Sequence, residues 1–81
     1  MAKSTLEQLE IESNHLESPT ITLLSLDVAY RILEEEGYGV NFSVVSASIH
    51  KVGGEFSVVL SLPYGSTFTI KPSKGENKGD L

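Results

Sequence analysis

The chain is 81 residues long and contains no cysteine, so it has room for one hydrophobic core and none for disulfides, thiolate metal sites or a thiol nucleophile. Eleven acidic residues against six basic ones leave a net charge of −5, a poor match to the phosphates of nucleic acid or of an anionic membrane. No apolar run approaches the roughly 18 residues that a bilayer span requires.

The acidity is uneven: residues 1–40 carry eight acids and two bases, whereas residues 41–81 carry three and four. The opening Met1-Ala2-Lys3-Ser4 runs into Glu7, Glu10 and Glu12, unlike the apolar stretch of a signal peptide. Together with the missing cysteines, this predicts a cytoplasmic setting with no membrane attachment.

Residues 1–18 are the least defined segment. Ser4 and Glu7 have the spacing of a capping box, and Leu6, Leu9 and Leu16 form a thin apolar stripe that Ile11 misses. A short helix over about Thr5–Glu12 competes with the strand-like alternation of Leu9 to Ser13. Ser18-Pro19 marks a break, and Thr20-Ile21-Thr22-Leu23-Leu24 leans towards strand by propensity.

A helix is clearest from Leu26 to Glu36, with its start open between Ser25 and Pro19, where Ser18 could cap a helix that has proline at its first position. Leu26, Ala29, Tyr30 and Leu33 recur at helical spacing, Ile32 widens the stripe, and the charged residues fall mainly on the opposite side. Ser25 suits the N-cap, Asp27 the first turn, and Gly37 the left-handed position that ends a helix.

Two turns then set a strand register. Gly53-Gly54 predicts a two-residue hairpin that pairs Ile49 with Val58, Ala47 with Leu60 and Val45 with Leu62. Pro63-Tyr64-Gly65 predicts a three-residue loop that pairs Leu60 with Phe68 and Val58 with Ile70. The apolar residues of all three strands then share one face. Near Val44-Val45 the alternation changes phase, which points to a β-bulge or to the start of the strand. Residues 73–81 have little to bury and read as a disordered tail.

The expected fold class is α+β: one amphipathic helix packed on a three-stranded antiparallel β-meander as a two-layer sandwich, occupying residues 19–72. So small a core is thin for independent stability, which predicts a protein partner, with a homodimer foremost, through an open sheet edge or the helix flank.

Chemistry-bearing residues are sparse, and no cofactor or metal is expected. His50 falls opposite Ser57 on the outward sheet face, but no acid orients it and no oxyanion hole is apparent. The rest of that face, Ser46, Ser48, Ser57, Ser61, Thr67 and Thr69, is rich in hydroxyls. Glu34, Glu35 and Glu36 place three carboxylates at the negative end of the helix dipole, against local electrostatics, and so offer an acidic patch to a basic partner. Tyr38 and Tyr64 are turn aromatics, expected to pack at the core edge. The partner-binding candidates are therefore Glu34, Glu35, Glu36, Tyr38 and His50, on a non-enzymatic interaction module of accessory or regulatory type, virus-encoded modulators included. The alternative is a small α+β domain that binds or mimics nucleic acid.

Overall fold

The computed structural model describes residues 3–39, 41 and 43–72; the tail expected at 73–81 lies outside them. In chain order the elements are α1 (Thr5–Ser13), β1 (Thr20–Leu24), α2 (Leu26–Glu35), β2 (Ser46–Val52), β3 (Glu55–Ser61) and β4 (Thr67–Ile70). The four strands form one antiparallel sheet in the order β1-β2-β3-β4, with α2 spanning the connection from β1 to β2. The α+β class holds, but two helices and four strands replace the expected one and three.

Both additions have a physical cause. The capping box forms as the sequence predicts: Glu7 N–H donates to Ser4 Oγ at 3.2 Å, and Ser4 N–H donates to Glu7 Oε1 at 3.1 Å. The helix then contributes Leu6, almost wholly buried, to the common core. β1 pairs along its whole length with β2, setting Thr22 against Ile49 and Leu24 against Ala47. At its start, Ser18 Oγ accepts the Gly53 N–H at 2.6 Å, tying the entry of the strand to the distant hairpin tip.

α2 starts at Ser25, whose hydroxyl accepts the Val28 N–H at 3.3 Å. It ends in a Schellman arrangement: Tyr38 N–H reaches Leu33 O at 2.8 Å and Gly37 N–H reaches Glu34 O at 3.2 Å. Gly37 makes this closure possible with φ of 90°. The buried face of α2 is Ala29, Ile32 and Leu33, all fully covered. Leu26, expected on that face, is exposed instead, and Ile32 becomes central because α1 packs beside it and widens the buried arc.

The meander follows the predicted register at Ile49–Val58, Ala47–Leu60, Leu60–Phe68 and Val58–Ile70. Gly53 and Gly54 take φ of 62° and 81°, the primed-turn geometry that matches strand twist. The expected Val45–Leu62 pair does not form. Val45 N–H bonds Ser61 O at 2.7 Å while Ser46 also stands opposite Ser61, so two residues face one, as in a β-bulge. The extra residue turns Val45 outward, 62% exposed, and puts Val44 in the core. Tyr30 Oη accepts the Val44 N–H at 2.9 Å, fixing the entry of β2 to α2.

Candidate interaction surface

Because side chains alternate along a strand, the register assigns every sheet residue to a face. Ala47, Ile49, Phe56, Val58, Leu60 and Ile70 point to the helices and are buried. On the outer face, Leu23, Ser48, Val59 and Thr69 form one row across the four strands, and Ile21, His50 and Ser57 form the next. The hydroxyl-rich face expected from the sequence is therefore bordered on its β1 side by Ile21 and Leu23, which are 65% and 82% exposed.

β1 is an edge strand; among the described residues no strand pairs with its other side. Its backbone groups can be assigned. In a two-residue hairpin the residues flanking the turn, here Val52 and Glu55, exchange hydrogen bonds, and bonded pairs then alternate with non-bonded ones. Lys51, Ile49 and Ala47 therefore bond towards β1, meeting Thr20, Thr22 and Leu24. The N–H and C=O groups of Ile21 and Leu23 point off the open edge.

On the helix side of β1, a cleft of about 280 Å³ is bounded by Leu9, Glu12, Ser13, Leu16, Thr22 and Ile49. Thr22 points towards the helix layer yet is exposed, because α1 stops short of covering it. The opposite edge differs: β4 reads Thr67-Phe68-Thr69-Ile70, alternates cleanly, and is followed by Lys71-Pro72. A lysine and a proline are devices that discourage strand addition.

The sequence-predicted residues do not converge. His50 sits on the outer face with its Nε2 3.0 Å from Ser48 Oγ, opposite Ser57 as expected. A histidine bonded to a serine two residues away on the same strand has its ring held, but among the described residues no carboxylate bonds it as in an acyl-transfer site. Glu35 is engaged elsewhere in the molecule, its carboxylate accepting from Thr5 at the N-terminus of α1. Glu34 is exposed, and Glu36 is the half-buried C-cap of α2. Tyr38 packs edge-on against Phe68, with ring centroids 5.1 Å apart, whereas Tyr64 is fully exposed at the loop tip and makes no core-edge contact.

Lys51 turns inward. It is 8% exposed, with Nζ 3.4 Å from Asn14 Oδ1 and 3.5 Å from Ser13 Oγ beneath the C-terminal end of α1, where helix carbonyls favour a cation. No group of three or more His, Asp or Glu side chains that could hold a metal occurs among the described residues. No helix among them is long and apolar enough to cross a membrane.

Sequence reasoning missed Ile21 and Leu23 as surface features. The signal was present: Ile21, Leu23 and Leu24 occupy both parities of the strand, and no charged residue occurs from Ser18 to Leu26. No protein-family model matches the chain, and no curated protein or solved structure matches it either.

Proposed function

We propose that this chain is a non-enzymatic protein-interaction module that docks through the open β1 edge and the adjoining outer sheet face. The observation that carries this reading is the exposure of Ile21 and Leu23 beside unsatisfied strand-edge backbone, a combination suited to strand addition. The hydroxyls of Ser48, Ser57 and Thr69 extend the surface as a polar rim. An accessory or regulatory role follows from a surface built for docking and a His50 environment without the partners of an acid–base set. The acidic patch plays a smaller part in this reading, since Glu35 already serves α1.

Nucleic-acid recognition has less to draw on. The chain is acidic, and Lys51, one of its few bases, lies buried under α1. The test compares affinity capture from the native host by the wild type and by the double variant Ile21→Lys, Leu23→Lys. Proteins retained by the wild type and lost by the variant support the edge as the docking surface; identical sets count against it. A gel shift at low salt that detects nucleic acid would favour the alternative.

A further inference from the structure

We infer that the occupant of the β1 edge is a second copy of this chain, joined by antiparallel β1–β1′ pairing about a two-fold axis through Thr22. This rests on the β1 edge being the docking surface and adds the partner, the register and the resulting eight-stranded sheet.

The first argument is the strand's own composition. An edge strand with one wet face alternates apolar and polar residues, as β4 does, whereas a strand interior to a sheet carries apolar residues on both faces. β1 departs from the edge arrangement: it turns Ile21 and Leu23 to the outer face, which is the wet one, and of its helix-side residues Thr20, Thr22 and Leu24 only the last is apolar. None of the usual edge protections, a charge, an internal proline or a bulge, occurs between Thr20 and Leu24.

The second argument is symmetry. A two-fold interface must be self-complementary, each residue meeting the partner that its own copy meets in return. The backbone groups off the edge belong to Ile21 and Leu23, two residues apart, with Thr22 between them. Placing Thr22 opposite Thr22 of the second copy sets Ile21 against Leu23 twice. Both are hydrogen-bonded pairs, and both stack an apolar side chain on another across the outer face. Shifting the centre to Ile21 would bring Leu23 opposite Pro19, which has no N–H to give.

The third argument is the helix side. The cleft bounded by Leu9, Glu12, Ser13, Leu16, Thr22 and Ile49 lies against the axis, so the two clefts of a dimer adjoin and cover the half-buried Leu9 and Leu16, with Glu12 at the margin. Charge also favours self-pairing over a basic partner, because the uncharged stretch from Ser18 to Leu26 offers nothing to steer a cation. Five-residue strands make an interface at or below the ~800 Å² per partner of a standard complex, so the dimer is expected to be concentration-dependent.

The absence of native cysteine makes the register testable on the full chain. Under mild oxidation Thr22→Cys forms a disulfide dimer, because it faces itself as a non-hydrogen-bonded pair with Cβ atoms about 5 Å apart. Ile21→Cys mixed with Leu23→Cys cross-links between the two variants in preference to either with itself. Sedimentation equilibrium at about 100 µM gives a dimer mass for the wild type and a monomer mass for Leu23→Lys and Ile21→Lys. Raising the salt concentration tightens the wild-type dimer, since each copy carries −5.

A wild-type monomer at all salt concentrations overturns the proposal. So does a dimer unaffected by either lysine variant, or Thr22→Cys cross-linking no faster than a Thr69→Cys control on the opposite edge. If the wild type is monomeric but captured proteins are lost by the double lysine variant, self-pairing falls while the edge remains a docking surface for another protein.

Discussion

Glu35 of α2 holds the N-terminus of α1: its carboxylate accepts the Thr5 N–H at 2.8 Å and the Thr5 hydroxyl at 3.1 Å. A charge that is unfavourable at the end of its own helix is thus placed at the positive end of another that packs against it. Replacing Glu35 with Gln removes the charge and should cost about 0.3–1 kcal/mol, for an exposed group at a helix N-terminus. Glu34→Gln, which relieves the negative end of α2 without disturbing α1, should leave stability unchanged or slightly raised. Urea unfolding of the two variants side by side checks the contrast; equal losses would remove the role assigned to Glu35.

Lys51 separates the packing of a buried stem from the placement of its ammonium. Lys51→Met keeps most of the apolar stem and removes a charge that makes only long contacts, so stability should change by less than about 1 kcal/mol. Lys51→Ala removes the stem as well and should cost about 2 kcal/mol. Thermal and urea denaturation would measure both, and equal losses for Met and Ala would show that the ammonium, not the stem, matters.

Tyr30 and Val44 are joined by the bond that positions the entry of β2. Tyr30→Phe leaves the buried Val44 N–H without this acceptor and should lower stability by about 1 kcal/mol, with an unchanged denaturant slope. A change in slope would instead indicate that the connection from α2 to β2 had loosened more widely.

Tyr64 adopts a left-handed conformation, φ 68°, with its ring entirely in solvent. Asn tolerates that geometry better and gives up no packing, so Tyr64→Asn should raise stability by about 0.5–1 kcal/mol. A loss of stability, measured by calorimetry, would mean that the ring contributes a contact in solution.

The meander was legible because glycine and proline turns leave little freedom: Gly53-Gly54 and Pro63-Tyr64-Gly65 each permit one register that keeps Val58 and Leu60 inside. α1 was harder to read because it buries only Leu6 and Ser13, so its apolar stripe is thin and Ile11 points to solvent. β1 eluded pairing because its partner lies beyond a helix, with no turn to count from, and its apolar residues fall on both faces. The role of Glu35 could not be seen at all, since it joins residues 30 positions apart through a helix packing that only the assembled core defines. Ile21 and Leu23 were hidden for a similar reason: two aliphatic side chains stand out only once the fold has put them at an open edge.

Because the strands lie in the sheet in the order they occur in the chain, the molecule has a sequence of disassembly built into its topology. The β2–β3 and β3–β4 pairs are closed by tight turns and reform locally, whereas β1 must be returned across the whole of α2. In a single copy, at concentrations too low for self-pairing, amide exchange should therefore run in a gradient, fastest at the open-edge amides of Ile21 and Leu23, slower for the rest of β1, and slowest between β2 and β3. The strand with the open edge is also the one that can detach while the remaining hairpins stay intact.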